Sequence, residues 1–216
     1  MHKKSASASS KRWLEEHFND HFVKRSQREG LRARSVYKLS QIDAEYHLLR
    51  PGMRVVDLGA APGSWSAYAA PKIAPEGRLI AVDLLPIKAL AGVTFIQGDF
   101  TAENCLAELR KELAGEALDL VLSDMAPNFS GIKEVDQARV LTLMEAVLRF
   151  ACQTLKPQGK MLLKLFNGEG SDEFTTKVKS CFAKVIWLKP AASRARSAEG
   201  YLLATGFMPH RVVIEE

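Results

Sequence analysis

The sequence predicts an α/β protein with a seven-stranded, mostly parallel sheet and helices on both faces. A chain of 216 residues has room for one α/β domain but not for two full domains with separate cores. Its composition, 47% hydrophobic and 25% charged, is that of a globular protein and excludes a wholly disordered or collagenous chain. After residue 51, short runs rich in Val, Ile and Leu alternate with helical patterns, which is typical of βαβ units.

The expected elements follow in chain order. A helical pattern precedes the Pro51-Gly52 pair and is broken at Gly30. Helices are expected at residues 135–155 and 172–182. Strands are expected at residues 54–58, 79–84, 94–96, 118–123, 161–166, 185–188 and 201–205. The last two strands are separated by a polar stretch too short for a full helix, so we expect a hairpin that provides one antiparallel edge strand.

Composition divides the chain into four expected segments. Residues 1–10 are small, polar and rich in Ser, which predicts a disordered lead-in. Residues 11–50 form a basic helical segment, residues 51–208 form the main α/β domain, and residues 209–216 form a short tail.

The net charge of +5 is concentrated near the N-terminus. Residues 1–50 hold 11 Lys and Arg against 6 Asp and Glu, whereas residues 51–216 hold 19 of each. Lys and Arg side chains gain affinity for nucleic acid by releasing counterions from phosphates. The asymmetry therefore indicates a polyanionic partner, although a solvated helix face would have the same composition.

Other features exclude several classes of protein. The cysteines, Cys105, Cys152 and Cys181, are widely spaced and form no CxxC pair, so we expect buried thiols and neither a disulfide framework nor a zinc site. No apolar run approaches the roughly 18 residues that a membrane span needs. The basic start is not followed by an apolar stretch, so we expect no secretory signal and a cytoplasmic location.

A turn of small residues follows the first expected strand. Gly59 and Gly63 permit a tight turn and a close approach of the backbone to a ligand, and the next helix presents free N–H groups. The turn lacks the G-x-G-x-x-G pattern of dinucleotide sites and the Gly-Lys-Ser/Thr of a P-loop.

Carboxylates end three successive strands. Asp83 lies at the end of the second expected strand, and Asp99 and Asp124 follow the third and the fourth; each alone could be a helix cap. Because the carboxyl ends of parallel strands meet in one crevice, the three together indicate a cofactor that contains a nucleoside. Asp83 is placed to accept hydrogen bonds from ribose hydroxyls.

Lys164 lies within an otherwise apolar strand, MLLKLF at residues 161–166. A charge there is costly unless it is paired or functional. Such a lysine is most often an edge residue that reaches solvent, but its position one strand beyond the Asp124 turn favours a role in the site.

Four stretches carry a family resemblance: VDLGAAPGSWS at 56–66, DLLP at 83–86, QGDF at 97–100 and SDMAPN at 123–128. Together with SRARS at 193–197, they resemble the FtsJ family of S-adenosylmethionine-dependent ribose 2'-O-methyltransferases. Ser64 stands where the family typically has Gly. The resemblance extends over nearly the whole chain and implies a Rossmann-like methyltransferase fold.

The resemblance also implies a site and a reaction. S-adenosylmethionine would be held by Gly59, Gly63, Trp65, Asp83, Asp99 and Asp124, and no metal is expected. The family's Lys-Asp-Lys-Glu tetrad matches Lys38, Asp124, Lys164 and Glu199. Lys164 would act as the general base that takes the proton of the ribose hydroxyl, since burial and a nearby cation such as Lys38 favour a neutral amine.

The implied substrate is a uridine of 23S ribosomal RNA on an assembled large ribosomal subunit, with the protein acting as a monomer. Phosphate contacts are expected from Lys24, Arg25, Arg28, Arg32, Arg34, Arg194 and Arg196. Such contacts position the RNA but do not identify which nucleotide is modified.

The residues also bear on other methyl acceptors and other functions. The turn after the fourth strand lacks the aromatic ring typical of enzymes that methylate base amines, and no cysteine follows the fourth or fifth strand to serve methylation at pyrimidine C5. A methyltransferase acting on transfer RNA, a non-catalytic RNA-binding ribosome-assembly factor and a nicotinamide-dependent oxidoreductase stay open as alternatives. The complete tetrad argues against the second, and the glycine pattern against the third.

Overall fold

The computed structural model describes residues 20–194 and 197–211. Two helices precede the sheet, α1 (His21–Arg28) and α2 (Val36–Tyr46). Asp20 caps α1 by accepting hydrogen bonds from the backbone N–H groups of its first turn. The predicted break at Gly30 is confirmed, because this residue has φ of +67° between the two helices.

The main domain alternates strands and helices as predicted. In chain order the elements are β1 (Arg54–Leu58), α3 (Ser64–Ile73), β2 (Arg78–Asp83), β3 (Val93–Gln97), α4 (Glu103–Leu113), β4 (Leu118–Ser123), α5 (Lys133–Thr154), β5 (Leu155–Phe166), α6 (Ser171–Cys181), β6 (Phe182–Leu188) and β7 (Glu199–Phe207). A 3-10 turn, Pro209–Arg211, ends the described chain. The predicted lead-in, residues 1–10, lies outside the described residues, as do residues 212–216 of the tail.

The seven strands form one sheet in the order β3-β2-β1-β4-β5-β7-β6, and every neighbouring pair is parallel except those that include β7. The predicted fold class is therefore confirmed. Within the antiparallel part, however, β7 lies one strand in from the edge, and β6 forms the edge itself. Burial explains this order, since residues 201–204 of β7 are each at most 1% exposed, whereas β6 is largely accessible.

The core has two halves, one on each face of the sheet. One half packs side chains of α4, α5 and α6 against the strands, and the other packs α2 and α3. Leu39 and Ile42 of α2 belong to the second half, so the N-terminal helices are joined to the main domain by a shared apolar core.

β5 differs from its prediction at its N-terminal end. The strand begins at Leu155 rather than at residue 161, because the chain leaves α5 directly into pairing with β4 and shifts register there. Pro157 ends the helix as predicted but lies within this irregular strand.

The three thiols are free, with Cys105 and Cys181 buried and Cys152 half-buried. Across residues 20–194 and 197–211, no helix is long and apolar enough to cross a membrane.

Candidate active site

The site begins where the strand order reverses, between β1 and β4. Here the Asp124 backbone N–H donates to the Leu58 carbonyl at 3.2 Å, which ties the ends of the two strands together. Beside this point opens a cavity of about 790 Å³. It is lined by the turns that follow β1 to β4 and by one face of α5, which is the usual ligand position in a doubly wound sheet.

The three predicted carboxylates converge on this cavity. Asp83, Asp99 and Asp124 all line it. Asp83 accepts the backbone N–H groups of Ala61 and Leu85, both at 2.8 Å, so its carboxylate has a fixed orientation. Hydrogen bonds from the side chain and backbone of Thr101 hold the pKa of Asp99 below its usual range.

The small-residue turn forms one wall of the cavity. Gly59 lines it at φ of +76°, and a Cβ added there would overlap the side chain of Met125. Gly63 has φ of +93° at the start of α3, and its added Cβ would meet the Arg32 guanidinium at 3.2 Å. Gly63 does not line the cavity, so its role is to let the backbone turn tightly.

Trp65 also lies outside the cavity lining. Its indole N–H donates to the Ser35 carbonyl at 2.9 Å, and its ring packs against Tyr201 with 5.7 Å between centroids. Trp65 therefore joins the end of the small-residue turn to α2 and to Tyr201.

Asp57 at the end of β1 is a residue that the sequence analysis did not select. It is fully buried, and its Oδ2 accepts a hydrogen bond from Ser66 at 2.6 Å. Burial raises the pKa of Asp57 to about 7, and the charges of Asp124 and Asp83 act in the same direction. Its other oxygen has no hydrogen-bond partner in the described part of the chain.

The predicted tetrad forms two ion pairs. The Lys164 amine lies 3.0 Å from Asp124 Oδ1 and donates to the Asp124 carbonyl at 2.9 Å. The Lys38 amine lies 2.5 Å from Glu199 Oε1. Both lysines are 8% exposed, so each ammonium group is buried together with the carboxylate that offsets its charge.

Tyr201 connects the two ion pairs and was also missed by the sequence analysis. Its hydroxyl donates to Asp124 Oδ1 at 2.7 Å, and its ring lies 5.8 Å from the Lys38 amine. Tyr201 faces Lys164 across the β5–β7 ladder. Burial raises its pKa, and the neighbouring Asp124 charge adds to the effect. The sequence does contain a sign of this role: a Tyr within an apolar strand needs a hydrogen-bond partner for its buried hydroxyl.

A second cavity, of about 430 Å³, opens beside the tetrad. Its lining consists of Arg34, Ser35, Lys38, Arg194, Ser197 and Glu199. Asp124 lines the first cavity, whereas Lys38 and Glu199 line the second. The tetrad thus stands between a large, mainly apolar cavity and a smaller basic one.

Several predicted RNA-binding residues make contacts within the protein. Arg32 donates to the carbonyls of Pro62 at 3.0 Å and Ala89 at 3.4 Å, so it stabilises the small-residue turn. Arg34 pairs with Asp20 and donates to the carbonyl of Ala192. Burial and the nearby charge of Arg194 lower the pKa of Arg34.

The other predicted RNA contacts are more accessible. Lys24 and Arg28 are exposed on α1. Arg25 pairs with Glu29 at 2.7 Å and lies over the Tyr37 ring. Arg194 is partly exposed beside the second cavity, whereas Arg196 lies outside the described residues.

Comparisons with known proteins identify the family of the chain. A family model described as FtsJ-like methyltransferase matches residues 31–207. The chain is 52% identical over 203 residues to the ribosomal RNA large subunit methyltransferase E of Legionella pneumophila strain Corby, covering 94% of this chain and 98% of that protein. Identity to the protein of the same name from Methylobacillus flagellatus is 53% over 195 residues, covering 90% and 94% of the two chains.

Solved structures with similar folds include two proteins. The crystal structure of a ribosomal RNA methyltransferase from Plasmodium falciparum has a TM-score of 0.74 and 26% identity, covering 82% of this chain and 98% of that one. Aeropyrum pernix fibrillarin, with natively bound S-adenosyl-L-methionine, has a TM-score of 0.53 and 17% identity over 78% and 72% of the chains, which supports the fold alone. The family match over residues 31–207 and the high identity to full-length relatives show that the chain belongs to the FtsJ-like methyltransferase family.

Proposed function

We propose that this protein transfers a methyl group from S-adenosylmethionine to the 2'-hydroxyl of a uridine ribose in the 23S RNA of the large ribosomal subunit. The observation that carries the proposal is the position of the tetrad: Asp124, the partner of Lys164, lines the large cavity, whereas Lys38 and Glu199 line the basic one. This arrangement lets a cofactor and an RNA strand approach the tetrad from two sides.

The large cavity suits S-adenosylmethionine. Its volume of about 790 Å³ lies within the range of small-molecule sites. Asp83 and Asp99 offer carboxylates to ribose hydroxyls, and Leu84, Phe100 and Leu143 offer apolar surface to a base. Gly63 and Trp65 act by holding the small-residue turn in place.

When bound, S-adenosylmethionine supplies an electrophilic methyl group on a sulfonium sulfur. The residues of this chain then have separate tasks. Lys164 acts as the general base: its ammonium group first gives up a proton to solvent, and the amine then accepts the proton of the ribose 2'-hydroxyl, which leaves an electron pair on that oxygen for the new bond. Asp124 fixes the amine by an ion pair and is itself fixed by the Tyr201 hydroxyl.

Lys38 and Glu199 have a positioning role in this proposal. Their ion pair lines the basic cavity, where Lys38 can contact the phosphate or sugar of the acceptor nucleotide while Glu199 keeps the lysine oriented. Holding a hydroxyl and a methyl group near 3 Å in line supplies much of the rate acceleration in such a transfer.

The substrate assignment rests on the named relatives and on charge. The Legionella and Methylobacillus relatives are ribosomal RNA large subunit methyltransferases. Arg34 and Arg194 line the basic cavity together with Lys38 and Glu199, and Lys24 and Arg28 are exposed on α1, so these four side chains are the proposed phosphate contacts. Arg25, Arg32 and Arg196 complete the predicted RNA surface. Action on an assembled subunit, a monomeric state and a cytoplasmic location belong to the same proposal.

A site-resolved map of ribose methylation tests the proposal. We expect cells that lack this protein to lose one 2'-O-methyluridine from large-subunit RNA. A plasmid copy of the wild-type gene should restore it, and a Lys164→Ala copy should not. An unchanged map would refute the proposal, and a loss confined to transfer RNA would favour the transfer RNA enzyme.

A further inference from the structure

The side chain of Phe129 is exposed to solvent near the tetrad. Phe129 lies in the loop between β4 and α5 and is 55% exposed. Its ring meets Phe166 edge to face, with 5.4 Å between centroids and 81° between planes. Phe166 is the last residue of β5, so a strand end supports the exposed ring.

The loop that carries Phe129 is fixed on both sides of the ring. The Asn128 carbonyl accepts a hydrogen bond from Arg139 at 3.0 Å. Asp136 accepts the backbone N–H of Ser130 at 2.6 Å and its hydroxyl at 2.7 Å. The ring is thus presented by an ordered backbone, which lowers the entropy cost of using it as a contact surface.

Phe129 also stands close to the reacting groups. The Lys164 amine lies 5.9 Å from the centre of the Phe166 ring, and Phe166 in turn touches Phe129. Asn128, the residue before Phe129, lines the large cavity, whereas Phe129 does not. Through Phe166 the ring therefore lies near the Lys164 amine, outside the lining of the large cavity.

We propose that Phe129, supported by Phe166, is the platform on which the base of the acceptor nucleotide stacks. The inference rests on the proposed function, because it requires a ribose 2'-hydroxyl at Lys164. The base is attached to the sugar carbon next to the one that bears this hydroxyl, so a hydroxyl held at the amine brings its own base towards the rings that border it.

Stacking is the contact that this surface can offer. Proteins commonly bind unstacked RNA bases on the faces of aromatic side chains. Such stacking tolerates any base, because every base has a π-face. Phe129 therefore positions the nucleotide without reading which base it carries, and the choice of acceptor depends on the surrounding RNA contacts.

Substitutions at Phe129 separate stacking from apolar volume. The substrate is large ribosomal subunits isolated from cells that lack this protein, and the readouts are kcat/KM for methyl transfer and equilibrium binding of the subunits. We expect Phe129→Ala and Phe129→Leu each to lower kcat/KM by roughly tenfold or more, since stacking on one ring contributes about that much to affinity. Phe129→Tyr should stay within about twofold of wild type, because it keeps the ring.

The matched control is Ile132→Ala, which removes another exposed apolar side chain of the same loop, 58% exposed. It should stay close to wild type. The affinity for S-adenosylmethionine should be unchanged in all four variants, since neither Phe129 nor Ile132 lines the large cavity.

Three results would overturn the inference. If Phe129→Leu matches Phe129→Tyr, only apolar volume matters, and if Ile132→Ala falls as far as Phe129→Ala, the ring has no special role. Wild-type activity in all Phe129 variants would remove the platform while leaving the proposed function intact. Wild-type protein that methylates none of these subunits would refute the proposed function and this inference with it.

Discussion

Lys38 and Lys164 are buried lysines, and each lies against one carboxylate. An ammonium group without such a partner is expensive to bury, and removing one member of a buried pair leaves the other uncompensated. The two lysines therefore depend on Glu199 and Asp124 for their place in the fold as well as for chemistry. Substitution of the lysines is the cleaner test of function, because a carboxylate left behind can be solvated through the adjoining cavities.

Lys164→Ala is expected to abolish methyl transfer while leaving the fold and the affinity for S-adenosylmethionine nearly intact. Loss of a general base costs on the order of 10²–10⁴ in rate. The matched control is Lys160→Ala on the same strand, whose amine donates to the His47 carbonyl at 3.3 Å, away from Asp124. Single-turnover transfer measures both variants.

The rate of the Lys164→Ala variant decides whether Lys164 is the base. If Lys164→Ala keeps more than about half of the wild-type rate, the amine contributes less than the lower of those factors and is not the base. The proton would then pass to Asp124 or to a water that Asp124 orients. If Lys160→Ala is equally inactive, the loss reflects damage to β5 rather than to chemistry.

Asp57 gives the free protein a pH-dependent stability with a definite sign. Its pKa is raised to about 7 in the folded protein from an ordinary 3.8. Between these values the folded state keeps a proton that the unfolded state releases, so this contribution to stability is complete below about pH 4 and is lost as the pH rises through 7. Asp57→Asn removes the titration and keeps an acceptor for Ser66.

Urea unfolding over a pH series tests this sign. The free energy of unfolding of Asp57→Asn, relative to wild type, should rise by up to about 4 kcal/mol between pH 4 and pH 7.5. Asp99→Asn is the opposite control, because the pKa of Asp99 is lowered and its contribution is lost as the pH falls through the acidic range. A constant difference between Asp57→Asn and wild type would show that Asp57 is ionised throughout.

At the residue scale, sequence could select the tetrad but not what joins its members. Lys164 was visible as a charge in an apolar strand, and Asp124 as a carboxylate at a strand end. The hydrogen bond of Tyr201 to Asp124 and the contact of Phe129 with Phe166 depend on side chains that only the folded sheet brings together. Arg32 was predicted to bind phosphate because it lies in a basic segment. Its hydrogen bond to the Pro62 carbonyl joins residues far apart in sequence, so the sequence pattern does not reveal it.

At the scale of elements, α1 carries the cleanest test of RNA binding. Lys24 and Arg28 are exposed on this helix, whereas Arg32 and Arg34 hold internal contacts whose loss would disturb the protein itself. Reversing both exposed charges, Lys24→Glu with Arg28→Glu, should weaken binding of large subunits and flatten its dependence on salt, because fewer counterions are released.

The control for the helix α1 variant is Lys111→Glu on α4, an exposed lysine of the helix that packs against β3. It should leave the salt dependence of subunit binding unchanged, and cofactor affinity should stay constant in both variants. Identical binding curves for the double variant and wild type across a salt series would mean that this face of α1 is only solvated surface.

The order of helices and strands along the chain could be predicted better than the position of each strand in the sheet. Alternating strand and helix patterns gave the class of sheet and the side on which the carboxylates meet, because parallel strands end on one edge. The place of β7 between β5 and β6 was not predicted, although its apolar run of residues 201–204 suits an interior strand. A hairpin at the end of the chain suggests that its last strand lies at the edge of the sheet. Because β7 is buried on both faces, it lies between β5 and β6 instead.

The whole molecule behaves as one unit because both halves of the core share the central sheet and α2 and α3 belong to one of them. A ligand of the large cavity touches the turns after four strands, so its binding free energy should stabilise the entire domain rather than one loop. Ligand-induced stabilisation therefore reports on cofactor identity without requiring the RNA substrate.

S-adenosylmethionine at 100 times its Kd should stabilise the folded protein by about 2.7 kcal/mol. For a chain of this length that corresponds to a rise in Tm of roughly 5–10 °C. A nicotinamide dinucleotide at the same concentration should leave the Tm unchanged, because the turn from Gly59 lacks the dinucleotide glycine pattern. Asp83→Ala should shrink the shift caused by S-adenosylmethionine, since Asp83 lines the cavity. If the dinucleotide raises the Tm and S-adenosylmethionine does not, the large cavity is the cofactor site of an oxidoreductase and not of a methyltransferase.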